Sequence, residues 1–485
     1  MPPLAKPERP RSIQLPPRRG THAAHADVLV VGGGPAGVGA AVGASRAGAD
    51  AVLVERYGFL GGNATAALVM PLMSFYTHSH DERDSDMVAK LRLMPGDQGP
   101  GEPVVGGPLL DLARLLFPNG GALPPAEETG YAVPFDPEKL KDAGLTLLDD
   151  AGVRYLLHSF ASGVIGAERP EGVVLETKSG PLVVTADVIV DCTGDGDVAA
   201  LAGADFELGR PEDGLTQPLT LMFRMGEFDP GGFALYVLSH PGEWRGVHGL
   251  WDLVRKAEAA GELDLPREDI LFFATPHASE VSVNSTRVPG LGTDVFDLTA
   301  AEYLARRQMR QIVEFLRRHV PGFERAYLIQ SGATAGVRET RRIMGHYVLT
   351  GDDVLGVRAF DDGVARGSYP IDIHEPTGEG TYLRPLPPGG AYDVPLRCLI
   401  PRGVDGLLVG GRCISATREA QSSSRVTPIA MATGHAAGVC AALAAASGRE
   451  PIDVPVRDVQ RELVAQRARL RPELVREVAG APAGR

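Results

Sequence analysis

Cysteine is scarce: Cys192, Cys398, Cys413 and Cys440 lie far apart, and no C-x-x-C pair exists. That spacing excludes a zinc ribbon and a redox-active dithiol and leaves buried free thiols as the expectation. Long apolar runs are missing too, none nearing the roughly 18 uninterrupted residues of a membrane span, so no membrane partner is expected. Positive charge is in deficit, since 48 Lys and Arg face 61 Asp and Glu for a formal net charge of −13. This balance argues against nucleic acid, whose phosphates demand clustered cations. Residues 1–25 carry Pro and Arg but no apolar h-region, so they read as a disordered basic tail rather than a secretory signal. The pair Arg18-Arg19 runs into His22 to Asp27 rather than into an export-type apolar segment. A cytoplasmic protein is expected. His78 and His80 lack acidic or cysteine partners at ligand spacing, so no metal site is expected.

What the chain does have is a glycine-rich turn in full structural context. Asp27-Val-Leu-Val-Val31 reads as a buried strand, Gly32-Gly-Gly-Pro-Ala-Gly37 matches G-x-G-x-x-G, and Pro35 to Ala47 reads as a small-residue helix stopped by Gly48. A second strand, Ala51 to Val54, runs into Glu55. Glycines at Gly32, Gly34 and Gly37 let backbone approach a pyrophosphate where a Cβ would collide. The helix opening at Pro35 and Ala36 aims its unpaired N–H groups at the phosphates. A carboxylate at the end of the second strand suits a ribose hydroxyl. The signature is that of a bound dinucleotide.

Further along, the loop Arg56 to Asn63 carries Gly61 and Gly62, and residues 74–130 mix charge, Gly and Pro in a lid-like insertion with one apolar helix near Leu109 to Leu116. Asp136 and Pro137 are placed as N-cap and first turn of a helix. Strands are expected at Val153 to His158, Val164 to Ile165, Val173 to Thr177 and Leu182 to Thr185. Another at Asp187 to Val190 runs into a second glycine turn, Asp191-Cys-Thr-Gly-Asp-Gly-Asp197. Residues 203–393 carry no second cradle and read as a separate substrate domain. Within them Arg338, Glu339, Arg341 and Arg342 form a dense charge run, whose three arginines would share a face if helical, free to hold a substrate carboxylate or the FAD pyrophosphate, or to form a structural ion-pair network. The nucleotide-type pattern resumes at Asp405 to Arg412, followed by a long Ala-rich helix with Thr427 as N-cap. The expected plan is a discontinuous cofactor domain, residues 26–202 plus 394–447, with a C-terminal helix or tail over 448–485.

Together these segments resemble the FAD-dependent oxidoreductases of the glutathione-reductase superfamily, within it the broad bacterial FAD dependent oxidoreductase family, with a distant similarity to fumarate-reductase flavoproteins. The resemblance rests on Val30 to Gly37, Glu55 to Gly62, Val190 to Asp197, Gly336 to Arg342, Gly367 to His374, Leu408 to Ala416, Arg425 to Pro428 and Gly434 to Gly438. It implies an α/β fold: a Rossmann-like FAD-binding domain of glutathione-reductase type carrying an inserted mixed α+β substrate domain. It implies FAD, held noncovalently because Asn63 and Ala64 follow Gly61-Gly62 where the fumarate-reductase relatives place an attachment histidine.

By that resemblance Arg56 neighbours the adenosine, Gly61, Gly62 and Asn63 border the flavin or pyrophosphate, and Ala161 meets adenine through its backbone. Thr193, Gly194 and Asp195 back the cofactor, Gly411 and Arg412 approach the ribityl chain, and Val426 and Thr427 touch the flavin, with the helix dipole favouring its reduced anion. His374, in a motif the family shares, is the expected general base with a pKa near neutrality, and Arg338 its expected catalytic partner; His435 is read as helix packing. The expected reaction moves hydride from a small organic substrate to flavin N5, with O2 or a separate acceptor taking the electrons. An NAD(P)H-using monooxygenase and an electron-transfer subunit of a larger complex stand as alternatives, and a homo-oligomer is left open.

Overall fold

A computed structural model describes residues 3–8, 12–78, 93–94, 99–166, 169–376 and 380–480. Its first sheet holds seven strands. The N-terminal unit comprises β1 (Thr21–Val31), α1 (Pro35–Arg46), β2 (Ala51–Val54), α2 (Asn63–Ala66), α3 (Pro108–Leu116) and α4 (Pro137–Ala151). It continues through β3 (Arg154–Leu156), β4 (Phe160–Ile165), β5 (Gly172–Thr177), β6 (Gly180–Asp191), α5 (Asp197–Leu201) and β7 (Phe206–Leu208). The sheet runs β3-β2-β1-β6-β5-β4. β1 lies parallel to β2 and β6, whereas β4 and β5 form an antiparallel meander on β6. The segments expected as two strands at 182–185 and 187–190 are one continuous β6.

β1 begins at Thr21, five residues before the expected edge of the tail. Residues 21–25 pair with β6, and His22 and His25 both reach Thr185 Oγ1 at 3.0 Å. The tail expectation therefore fails for these residues; β6 extends beyond the buried core and offers them a partner edge.

The second unit begins with β8 (Phe223–Gly226), α6 (Pro230–Ser239), β9 (Trp244–Arg245), β10 (His248–Gly249) and α7 (Trp251–Ala259). It ends with β11 (Ile270–Ala274), β12 (Val281–Val283), α8 (Val295–His319) and β13 (Tyr327–Ser331). Its six-stranded antiparallel sheet runs β13-β8-β12-β11-β10-β9. α8 starts at a capped Asp294 and buries Ala301, Ala305, Met309, Ile312 and Phe315. The apolar core behind this sheet runs in sequence from Leu219 to Val337, with Leu93 added.

The boundary expected at residue 393 is therefore displaced. β14 (Arg341–Ile343), α9 (Gly351–Leu355), β15 (Gly363–Gly367), β16 (Ile371–His374), β17 (Thr381–Arg384) and β18 (Tyr392–Pro395) follow. Ile343, Leu349, Val354, Val364, Ile371 and Tyr392 pack into the first core, not the second. β14 also pairs with β7, and β15 with β18. Such pairings between distant segments leave no local mark in the sequence.

β19 (Leu407–Val409) rejoins the first sheet parallel to β6. α10 (Arg418–Ser424) and α11 (Thr427–Ser447) follow, then α12 (Val456–Ala465) and α13 (Pro472–Gly480). α11 is long and apolar enough to cross a membrane by length and composition, but 78% of its most apolar 18-residue stretch is buried within the protein. It lies against α1, where glycines let the two backbones touch: a Cβ on Gly434 would fall 1.9 Å from Ala36 O. α12 closes this layer, Val459 and Leu463 being fully buried.

The lid-like reading of 74–130 also needs correction. Residues 79–92 and 95–98 lie outside the described residues, but Val104, Leu109 and Leu116 are buried in the first core, where α3 packs on α1, α4 and α11. An apolar helix face is buried wherever a complementary face exists, whatever the polarity of its flanks. All four cysteines are buried and unpaired.

Candidate active site

The strand β1 delivers the chain into the glycine turn, and the glycines there serve different needs. Gly32 has φ +103, and a Cβ on it would lie 2.4 Å from Cys192 O. One on Gly37 would lie 1.7 Å from Gly32 O. Both are demanded by the protein's own backbone. Gly34 is different: a Cβ there would meet only Gly62 Cα at 3.8 Å. The space beside it opens into a solvent-connected trench of about 760 Å3. Lack of a side chain at Gly34 keeps a ligand's approach clear, which is the fit expected for a pyrophosphate.

The trench is bordered by both ends of the chain. Gly32, Gly34, Pro35 and Ala36 line it with Glu55 and Arg56, then Gly62, Asn63, Thr193 and Gly194, and from the far end Gly411, Arg412, Arg425 and Thr427. A second cavity of about 360 Å3 shares Gly32, Glu55, Arg56 and Thr193 with it and adds Phe160, Ala161 and Asp197. The two form one extended groove, its narrower end at Ala161 where an adenine was expected. Gly61 turns away and lines a separate apolar cavity with Pro35, Val38 and Leu60. Val426 is the N-cap of α11 and makes no side-chain cap, while Thr427 is the first helical residue rather than the expected cap.

Glu55 is 5% exposed. Its Oε2 accepts from Gly33 N–H at 2.6 Å and its Oε1 from Tyr57 N–H at 2.8 Å. Burial raises its pKa, and these backbone bonds oppose the rise. Each carboxylate oxygen keeps a lone pair to spare for a ligand hydroxyl. Asp191, at the end of β6, is fully buried and pushed up to about 6 by desolvation. It knots the second glycine turn by accepting from Thr193 N–H at 2.9 Å, Thr193 Oγ1 at 2.7 Å and Ala199 N–H at 2.9 Å. Asp195 serves the protein instead: its Oδ1 accepts from Arg412 Nη2 at 2.8 Å and Thr340 Oγ1 at 2.9 Å. Asn63 Nδ2 donates to Val337 O at 2.9 Å, tying the trench to the second unit.

Arg338 does not lie on a helix. Residues 337–340 have no regular structure and β14 begins at Arg341, so the three arginines part company. Arg341 pairs with Asp197 at 2.8 Å, and Arg342 with Glu339 at 2.9 Å. Pairing of this stretch with β7 overrides its local charge spacing. Arg338 donates to Pro218 O at 2.8 Å, to Thr220 Oγ1 and to Asn284 Oδ1 at 3.4 Å.

His374 ends β16 in the same polar cluster. Its Nε2 is 3.6 Å from Asp372 Oδ2, and its Nδ1 accepts from Arg287 Nη2 at 3.1 Å. Its pKa is not near neutrality: burial lowers it to about 4, with Arg338 and Arg425 adding to the fall and Asp372 resisting it. Asp372 is held well below the usual carboxylate range, burial being overcome by His374, Arg425 and Arg338. Tyr369 Oη donates to Asp372 Oδ2 at 3.2 Å. Arg425 joins cluster and trench, since it lines the latter and donates through Nη2 to Asp372 O at 3.0 Å.

Sequence reasoning missed Asp372, Tyr369 and Arg425, although all three sit in motifs it singled out. Arg287 and Gln217 carried no local signal at all. His435 is packing, as read: its Nε2 meets Gln466 Oε1 at 2.8 Å, and Gln466 Nε2 donates to Gly43 O. Among the described residues no group of His, Cys, Asp or Glu could hold a metal.

With this geometry in place, comparison with known proteins is informative at the level of family. The model of the family described as FAD dependent oxidoreductase matches residues 27–463. No curated protein matches the chain. Among solved structures, a geranylgeranyl bacteriochlorophyll reductase-like protein from Thermoplasma acidophilum is 14% identical at TM-score 0.42, covering 92% of this chain and 88% of that one. The flavin-dependent brominase Bmp2 is 12% identical at TM-score 0.43, over 91% and 83%. The p-nitrophenol 4-monooxygenase PnpA from Pseudomonas putida is 10% identical at TM-score 0.41, over 94% and 84%.

Proposed function

Because this chain belongs to the FAD dependent oxidoreductase family, it is an enzyme with FAD as its cofactor, and we propose that it is a dehydrogenase or oxidase acting on a C–H bond of a small organic substrate. The observation that carries this reading is the junction at Arg425, which lines the cofactor trench and hydrogen-bonds the polar cluster of Asp372 and His374. FAD, when bound, would supply the two-electron acceptor for the substrate's hydride, with O2 or a separate acceptor as the sink for its electrons.

The chain's own groups do the holding and the proton work. Gly34 and the amide end of α1 would receive the diphosphate, Glu55 a ribose hydroxyl, and the Ala161 end the adenine. Thr427 stands at the uncapped amide end of α11, whose dipole favours negative charge beside it. His374, lowered to about 4, is neutral at physiological pH and free of the charge that would block proton uptake. The proton lost as hydride departs goes to Nδ1 of its imidazole once Arg287 releases that atom, the ring proton of the neutral form lying on Nε2, and Asp372, 3.6 Å from Nε2, stabilises the resulting cation.

The test is an anaerobic screen of alcohols, amines and acids that follows bleaching of the flavin absorbance. A bleaching substrate is expected, and His374→Ala should slow that step by about 100-fold or more with flavin content unchanged. An unaltered rate removes His374 from the reading. Bleaching by NAD(P)H alone, with oxygen built into the product, replaces it with a monooxygenase.

A further inference from the structure

Three guanidinium groups from distant parts of the chain meet beside the trench. Arg287 is 3% exposed, and with Arg338 and Arg425 it surrounds the Asp372–His374 pair. Among the described residues, the carboxylate of Asp372 stands between Arg338 and Arg425. The other nearby acids are committed elsewhere: Glu339 to Arg342 and Arg418, and Asp269 to Arg267 and His248. Arg338 spends its hydrogen bonds on neutral acceptors, and Arg425 donates to the backbone carbonyls Ser422 O and Asp372 O. Arg338 and Arg425 are both half-buried, and holding the two beside a single carboxylate is costly, an imbalance that a bound anion would offset. The strain is visible in Arg338, pushed down to about 9 by burial and then by Arg425 and Arg287.

Two buried donors also stand idle here. Arg425 Nη1 has no hydrogen-bond partner, and neither has Nε2 of Gln217, a residue 1% exposed. The Gln217 amide is at the cluster, because its Oε1 accepts from His374 N–H at 3.1 Å. The cluster borders open space, since the side chains of Asp372 and His374 keep 15% and 14% of their surface accessible. Positive charge and idle donors coincide beside the trench, which Arg425 itself lines.

We infer that this cluster is the substrate's anchoring site, and that Arg338, together with Arg425 and Arg287, grips a carboxylate of an organic acid whose reacting carbon lies towards the trench. A planar guanidinium fork matches a carboxylate's two oxygens in a way that a point charge does not. The inference rests on the redox reading above for its use, but the binding it asserts can be measured without turnover.

The experiment is calorimetric titration of the FAD-loaded full chain with acetate, succinate and benzoate, alongside acetamide, succinamide, benzamide and inorganic phosphate. At least one carboxylate should bind saturably and perturb the flavin spectrum, with its amide about tenfold weaker or worse. Arg338→Gln should lose about tenfold or more of that affinity while retaining wild-type flavin content, and Arg338→Lys should fall between the two. No carboxylate binding by the wild type, equal binding of acid and amide, or undiminished binding by Arg338→Gln would overturn the assignment. So would phosphate binding as tightly as the best carboxylate. Loss of flavin rather than of carboxylate from Arg338→Gln would make this arginine a cofactor ligand and overturn it too. Should Arg338→Gln fail to fold, Arg338→Lys decides alone, undiminished affinity being the adverse result. If the acid binds but nothing in the screen bleaches the flavin, the pocket stands and the hydride reading falls. If only substrates without an acidic group bleach it, the hydride reading stands and the pocket falls.

Discussion

Where α1 meets α11, backbone packs against backbone, whereas behind the second sheet rings pack against rings. The first contact is made by glycine and alanine, with Gly434 seated on Ala36 O and Gly438 on Ala40 O. The second is a cluster of Phe228, Phe233, Trp244, Phe272 and Phe323, in which Trp244 and Phe272 approach to 4.5 Å between centroids. A seam without side chains tolerates no addition, because there is no rotamer to move. A ring cluster tolerates no removal, because each ring fills a volume nothing else reaches. The seam also fixes backbone positions closely, which suits the place where a cofactor must be met by N–H groups rather than by adaptable side chains.

That contrast can be broken most severely at the seam. Gly434→Ala would drive a methyl to 1.9 Å from Ala36 O, and the loss should exceed about 4 kcal/mol, seen as insoluble or flavin-free protein. In the aromatic core, Phe272→Ala should cost about 3–5 kcal/mol in denaturant unfolding, yet leave flavin binding intact in the folded fraction. Acid should separate the two regions next. Burial holds His435, within the α1–α11 layer, down at about 4 from an ordinary value of 6.5. The neutral form is the folded one, so its contribution is complete above pH 6.5 and is lost as pH falls towards 4, about 3 kcal/mol in all. Unfolding of His435→Gln measured from pH 7 to 4 should show a flatter acid loss than the wild type, and an identical slope would exclude the effect. The smallest change in stability belongs to Gly34→Ala, within about 0.5 kcal/mol because nothing crowds the position. Its FAD affinity should nonetheless fall in equilibrium dialysis, since the new methyl would occupy the ligand's side of the turn.

The parts of the site legible in the sequence were those whose chemistry is local. Strand, glycine turn, helix and acid from Asp27 to Glu55 form one contiguous unit, and every member borders or supports the trench. The second turn at Asp191 to Asp197 and the helix from Thr427 were equally visible, each being a short stretch with its own punctuation. What escaped was set by partners far away. Residues 21–25 became strand because β6 supplied an edge, and Arg341 to Ile343 became strand because Phe206 to Leu208 lay opposite. The arginine cluster draws on positions 287, 338 and 425, and no local spacing can announce a meeting of that kind. The depressed pKa of His374 has the same origin, since burial and neighbouring cations arise only on folding.

The glycine cradle has a timing consequence. Its first wall, Gly32 to Gly37, leaves the ribosome early, whereas Gly411, Arg412 and Thr427 emerge only after the whole aromatic unit has been made. Domains fold as they emerge, so a nascent chain long presents half a groove, with the apolar face of α1 awaiting the helix that will cover it. Cofactor capture thus waits for the synthesis of α11, and any truncation before α11 should yield a chain that exposes its seam and retains no colour.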